Sequence, residues 1–282
     1  MAEAGPLAII AGSGPLPRLV AESCRRTGRP YRVVVFEEQP LDWLEGHPVV
    51  RASFEKPGRM FAELRAAGCR DATFAGGMRR PRLNPLRFDA TAMRLAPRLL
   101  AGLKSGDDAT LRLIAEVFED QGLAIHAAQD LAGDIVVPAG VPTRAQPSEA
   151  DRADAARAAA IVAAMGGVDV GQGAVVAQGI CLGLESIQGT DAMLAFVAET
   201  AGPFRPDPDG ARGLLYKAPK PGQDHRLDFP AIGPGTVAAA ARAGLAGIVV
   251  RADGVMALGL AETVAAADAA GLFLWGRRED AE

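Results

Sequence analysis

Leu7-Ala8-Ile9-Ile10-Ala11-Gly12-Ser13-Gly14-Pro15-Leu16-Pro17 is the stretch that decides the fold class. Its first five residues are an unbroken apolar run, the pattern of a strand buried on both faces in a parallel sheet. Gly12-Ser13-Gly14 turns the chain, and a helical pattern follows to about Thr27, where Gly28 and Pro30 stop it. Tyr31 to Phe36 reads as a second strand, β-branched in its middle. Pro57 to Ala67 reads as a helix stopped by Gly68, and Asp71 to Ala75 as a third strand running into Gly76-Gly77. The succession is βαβαβ, with connections long enough for parallel crossovers. Two more helices are expected over Asp89–Leu103 and Asp107–Gln121.

Between Ala132 and Asp151 the texture changes. Pro138, Gly140, Pro142 and Pro147 fall among small residues, which reads as a linker. Ser148 with Asp151 three residues on resembles a capping box opening an Ala-rich helix to about Met165. Beyond it, strands are expected at Ala174–Gln178, Ile180–Glu185, Gly213–Tyr216, Gly247–Val250 and Leu272–Trp275. Helices open near Thr190 and Thr236 and cover Ala261–Ala270. The expected fold is α/β: an N-terminal Rossmann-like parallel-sheet domain over 1–135, a linker over 136–148, and a second α/β domain over 149–282. Strand order in the second domain is not legible.

The chain has 282 residues, a length that favours two domains, and 49% of them are hydrophobic, which excludes a disordered chain. With 30 Lys and Arg against 34 Asp and Glu, the formal net charge is −4, so no basic excess exists to grip a nucleic acid. Aromatics at 5% argue against base-stacking platforms as well. Cys24, Cys69 and Cys181 are scattered, with no CxxC pair, and read as small hydrophobes rather than a disulfide or zinc framework. No basic leader and no long uncharged apolar stretch is present, so a cytoplasmic protein is expected.

Five segments carry the polar chemistry. The Gly12–Pro17 turn, after a parallel strand and before a helix, suits a nucleotide or diphosphate. Pro17 stands where a dinucleotide fingerprint wants its third glycine, although Glu37 could imitate a ribose-binding acid. A plain strand-to-helix turn is the alternative. Gly76-Gly77-Met78-Arg79-Arg80-Pro81 should lie beside it at the carboxyl edge, either as a ligand loop or as a solvated loop. Gly106-Asp107-Asp108 offers caps or metal ligands at a helix start. Glu185 to Asp191 is a polar turn, with Thr190 a natural N-cap at a helix end suited to phosphate. The fifth is the richest: Lys217 to Asp228, stiffened by Pro219, Pro221 and the nearby Pro230, Gly233 and Pro234. Lys217, Lys220 and Arg226 could neutralise a diphosphate, and Asp224 and Asp228 could hold Mg²⁺. His47 and His126 lack ligand partners and read as structural.

Taken in order, these segments resemble one family, the LpxI-type UDP-2,3-diacylglucosamine pyrophosphatases of lipid A biosynthesis. The matching stretches are Ile10 to Pro17, Ala75 to Pro81, Gly106-Asp107-Asp108, Ala177-Gln178-Gly179-Ile180, Glu185 to Asp191 and Lys217 to Gly233. Each alone is weak, but the ordered set spans nearly the whole chain. The resemblance implies Mg²⁺-dependent attack of water on the α-phosphorus of UDP-2,3-diacylglucosamine. The products would be UMP and 2,3-diacylglucosamine 1-phosphate (lipid X). It implies two domains enclosing the substrate, and an essential Asp224 in the family's Gln-Asp-x-Arg motif, here Gln223 to Arg226.

On that footing Asp224 holds the metal or the attacking water, with Asp228 as a second metal ligand. Lys217 and Lys220 stabilise anionic oxygens. Gly12, Ser13 and Gly14 with Gly76, Gly77, Met78 and Arg79 hold the UDP part, and Gln223 and Thr190 contact the sugar phosphate. The acyl chains need an apolar chamber, and transient contact with the inner-membrane surface is expected, as a peripheral protein, without a recognisable basic amphipathic helix. Whether identical chains assemble is left open. Two other classes stay in play: an NAD(P)-dependent oxidoreductase, and a nucleotide sensor that binds without turnover.

Overall fold

The computed structural model describes residues 5–78, 82–102, 107–133 and 135–278. The chain divides into two units, Met1–Asp134 with Asp224–Asp228, and Ile135–Gln223 with Phe229–Glu282.

The first unit runs β1 (Leu7–Ala11), α1 (Leu16–Thr27), β2 (Tyr31–Phe36), β3 (Val49–Ala52), α2 (Pro57–Ala66), β4 (Asp71–Ala75), α3 (Ala90–Gly102), α4 (Asp107–Asp120), β5 (Ala124–Ile125) and α5 (Ala128–Ala132). Among the described residues its strands form a parallel sheet in the order β3-β2-β1-β4-β5. The unbroken apolar runs are explained by cover on both faces. Ala8, Ile10, Val34 and Phe36 pack with Met60, Phe61 and Leu64 of α2 and Phe118 of α4, while α1 and α5 lie against each other on the strands' other side. Pro15 precedes α1 and Gly28 ends it in the left-handed region at φ 73°. In this parallel register Ala11 stands beside Ala75, so the loops after β1 and β4 leave the same carboxyl edge.

The second unit runs α6 (Glu149–Gly166), β6 (Gly173–Ala177), β7 (Ile180–Leu184), α7 (Thr190–Thr200), β8 (Leu214–Lys217), β9 (Ala231–Ile232), α8 (Pro234–Arg242), β10 (Gly247–Arg251), β11 (Met256–Ala257), α9 (Leu260–Ala270) and β12 (Phe273–Arg277). Its main sheet has the order β12-β10-β8-β6-β7, parallel from β12 to β8 and antiparallel at β6 and β7. One face packs on Ala155, Ala158 and Val162 of α6, and the other on α7, α8 and α9 through Leu194, Val197, Val237, Ala240 and Ala267. The capping box forms: the Ser148 hydroxyl accepts from the Asp151 amide at 3.2 Å, and the Ser148 amide donates back to Asp151 Oδ2 at 2.9 Å.

Two features differ from the expectation. Residues 136–148, read as a linker, belong to the second unit: Val137 is fully buried and its amide donates to Val255 O at 2.9 Å. Gly140 exchanges two backbone hydrogen bonds of 2.9 Å with Gly276. The prolines there stiffen an edge segment rather than release a tether. Conversely Asp224–Asp228, expected in the second domain, clusters with the first unit.

Candidate active site

In the first unit two glycine loops are zipped together by backbone. Ser13 N donates to Gly77 O at 2.8 Å and Gly77 N to Ser13 O at 3.1 Å. The Ser13 hydroxyl and Gln39 Nε2 also donate to Gly77 O, at 3.0 and 2.8 Å. Such an approach excludes side chains. A Cβ on Gly12 would lie 2.5 Å from Gly77 O, and one on Gly76, whose φ is +85°, would strike Ser13 O. The zip also spends donors expected to cradle an anion. Gly12 N goes to Ala75 O at 2.7 Å, Ser13 N goes to Gly77, and Pro15 and Pro17 have no N–H. Among the described residues, the loop amides not paired this way are those of Gly14, Leu16 and Arg18. Met78 is exposed beside them, and Arg79 lies outside the described residues, as does Gly106. Asp107 and Asp108 open α4.

Asp224–Asp228 forms a tight turn docked on this unit. Asp224 O accepts from Leu227 N at 2.9 Å and Asp228 N at 3.3 Å. The Asp224 carboxylate accepts from Arg226 N and Nε at Oδ1, both at 3.0 Å, and from Arg226 Nε and Nη2 at Oδ2, at 3.2 and 2.7 Å. That fork holds the Asp224 carboxyl below its ordinary value. Burial opposes the shift, and the Arg226 amide and the charges of Arg226 and Arg112 add to it. Arg226 is itself pushed up, by its hydrogen bonds to Asp224 first and to Glu119 of α4 next. Three ties fix the turn: Arg226 Nη1 to Glu119 Oε1 at 3.1 Å, Gln129 Nε2 of α5 to His225 O at 3.0 Å, and Leu227 packed against the α2–α4 core. Neither Glu119 nor Gln129 stands out in the sequence. A lone Glu at a helix end carries no signal of a contact 107 residues away.

The second unit gathers a different set. Lys217, at the carboxyl end of β8, donates from Nζ to Thr190 Oγ1 at 2.7 Å. Thr190 was expected to cap α7; the cap position is instead Gly189 at φ 86°, which has no side chain to cap with, and Thr190 is the first helical residue, its hydroxyl accepting from Lys217. Glu185 Oε1 lies 3.8 Å from Lys217 Nζ, with both side chains buried. Lys220 Nζ pairs with Asp169 Oδ1 at 2.6 Å, and its amide donates to Gln223 Oε1 at 3.0 Å. Gln223 thus shapes the turn that precedes Asp224.

Elsewhere the histidines are structural: His47 Nδ1 is 2.8 Å from Tyr31 OH, and His126 Nε2 is 2.9 Å from Asp71 Oδ1. The cysteines are free; Cys24 and Cys69 are buried, which pushes their thiols up, and Cys181 is half-buried. Glu37 is exposed just after β2. Among the described residues no three His, Cys, Asp or Glu side chains converge as a metal cage. The Asp224 carboxylate, with four donor contacts from Arg226, offers a hard cation one anionic ligand once the guanidinium yields. Carboxylate oxygen is the donor type that Mg²⁺ takes, so the residue fits such an ion in kind. No helix among the described residues is long and apolar enough to cross a membrane.

Comparison with known proteins gives this geometry its family. The LpxI N-terminal domain matches residues 6–135 and the LpxI C-terminal domain residues 138–275. The UDP-2,3-diacylglucosamine pyrophosphatase LpxI of Caulobacter vibrioides is 38% identical over 270 residues, covering 96% of each chain. A solved structure named for an NAD-dependent epimerase/dehydratase of Methylobacillus flagellatus overlaps 50% of this chain and 43% of its own, at 12% identity and a TM-score of 0.25, too loose to argue from. Matched in both halves and across nearly its full length, the chain belongs to the LpxI family.

Proposed function

We propose that this protein hydrolyses the diphosphate of UDP-2,3-diacylglucosamine, releasing UMP and 2,3-diacylglucosamine 1-phosphate (lipid X) in lipid A biosynthesis. The observation that carries the reading is the 38% identity, over 96% of both chains, to a UDP-2,3-diacylglucosamine pyrophosphatase. The site supports it chemically. Phosphoryl transfer asks for positioning and charge neutralisation more than covalent catalysis. Asp224 is held anionic in the first unit, and the second unit carries a buried ammonium, Lys217. Pro17 stands where a dinucleotide fingerprint has its third glycine, the one that lets helix and strand pack closely, so the hydrolase reading is preferred to an NAD(P)-dependent one.

In this reading Asp224 orients the attacking water toward the α-phosphorus and accepts its proton's hydrogen bond. Lys217 and Lys220 meet anionic oxygens, Lys220 by leaving Asp169. Gly12, Ser13 and Gly14 with Gly76, Gly77 and Met78 seat the UDP part, Arg226 turns from Asp224 toward phosphate, and Thr190 and Gln223 approach the sugar phosphate. Mg²⁺ held by Asp224 and Asp228 would neutralise phosphoryl oxygens and acidify a bound water. The acyl chains draw the protein transiently to the inner-membrane surface. The direct test is UMP release from UDP-2,3-diacylglucosamine with and without Mg²⁺. Release that requires the metal supports the whole reading. Saturable NADH binding with no UMP released would replace it.

A further inference from the structure

Lys217 is 5% exposed and Glu185 6% exposed, in the interior of the second unit. In register Lys217 lies between Gly173 of β6 and Val250 of β10, on the face that Leu215 and Val250 share with α7, α8 and α9. Gly173 brings no side chain to that face, and the space is taken by Glu185, whose Oε2 a Cβ on Gly173 would strike. The Glu185 amide donates to Gly173 O at 2.9 Å, anchoring the residue at this spot. Gly171 is likewise open to the Glu185 carbonyl.

The distances divide the work. Thr190 Oγ1 takes one of the three Lys217 donors at 2.7 Å. Glu185 Oε1, at 3.8 Å, is too far for a hydrogen bond yet close enough for strong attraction at low dielectric. Oε2 is buried with no hydrogen-bond partner among the described residues. An unsatisfied buried carboxylate oxygen is costly and is found where something other than stability is served. The elements on this face carry other charges: Asp191 and Glu199 on α7, Arg242 on α8, Glu262 and Asp268 on α9, and Arg251 on β10. Among the described residues Glu185 is the carboxylate within 4.0 Å of Lys217 Nζ.

We infer that Glu185 is a positioning residue that supplies the counter-charge for buried Lys217 without consuming its donors, leaving two N–H groups to meet phosphoryl oxygens. The inference rests on the reading above, in which Lys217 serves the reaction. Neutralising Glu185 leaves a buried ammonium with a single neutral partner, and the ammonium then loses its fixed, charged presentation.

The test is a double-mutant cycle on kcat/KM for UMP release, with thermal unfolding followed in parallel. Glu185→Gln is expected to lower kcat/KM on the order of tenfold to a hundredfold. In a Lys217→Met background the same change is expected to matter by less than about twofold, because its effect passes through Lys217. Glu185→Asp, which keeps the charge, should recover part of the activity, and it replaces Glu185→Gln in the comparison if the latter does not fold. A Lys217→Met enzyme of normal activity would remove Lys217 from the reaction and so fail the underlying reading. A slow Lys217→Met enzyme beside a normal Glu185→Gln enzyme overturns the inference alone, as do losses that multiply in the double variant. So does a folded Glu185→Asp protein as slow as Lys217→Met.

Discussion

The two units hold their polar groups in place by different physics. In the first, backbone does the shaping: glycine loops joined amide to carbonyl, and a turn whose charges sit near solvent, with Asp224 and Arg226 side chains 21% and 46% exposed. In the second, side chains do it in the interior, with Lys217 and Glu185 side chains 7% and 8% exposed. An exposed ion pair contributes about 0–1 kcal/mol, whereas breaking one side of a buried pair costs roughly 3–5 kcal/mol. Chemistry and stability should therefore separate cleanly at Asp224 and be entangled at Lys217.

The largest expected effect tests that separation. Asp224→Ala should lower turnover by roughly a thousandfold or more while leaving the fold intact. UMP release and a thermal melt, measured together, check it; near-normal hydrolysis by the Mg²⁺-supplied variant would remove Asp224 from the mechanism. Next comes the backbone zip. Gly76→Ala should destabilise the first unit by about 2 kcal/mol or more, since it combines positive φ with a collision. Gly222 shares the left-handed conformation at φ +73° but faces open space, so Gly222→Ala should cost only about 1 kcal/mol. Equal denaturant midpoints for the two variants would mean the loops are not joined as described.

Smaller effects probe the docked turn. Leu227→Ala, removing a partly buried side chain from the α2–α4 core, should cost about 1–2 kcal/mol and speed hydrogen exchange at 224–228. Acid should act the same way. The Asp224 carboxyl is depressed in the folded protein, so its contribution is complete above the ordinary value of 3.8 and is lost as pH falls through the lower folded value. Exchange at these amides should thus be flat from neutral pH to about pH 4, once corrected for intrinsic rates, and rise below it. Last, Glu119→Gln should change stability by under about 1 kcal/mol, given side chains 46% and 42% exposed in its pair with Arg226.

Much of the architecture was legible from residues alone. Leu7–Ala11 is a strand because an unbroken apolar run means cover on both faces, Tyr31–Phe36 reads from its β-branched middle and Asp71–Ala75 from its place ahead of Gly76-Gly77, and Ser148 with Asp151 marks a helix start by a local hydrogen-bond pattern. Val49–Ala52 was missed: four residues with Arg51 among them carry too little period to stand out. The tie of Asp224–Asp228 to the first unit was illegible for a deeper reason. It depends on Leu227, Glu119 and Gln129 meeting across long sequence separations, and no local pattern records such a meeting. Glu185 was visible as part of a polar turn, but its burial followed only from the bare faces of Gly171 and Gly173.

The most direct measurement is a turnover of UDP-2,3-diacylglucosamine in ¹⁸O-labelled water, with both products examined by mass spectrometry. Attack at the α-phosphorus places the label in UMP and leaves the diacylglucosamine 1-phosphate unlabelled. Label in the sugar phosphate, or no cleavage by the metal-supplied protein, would contradict the account.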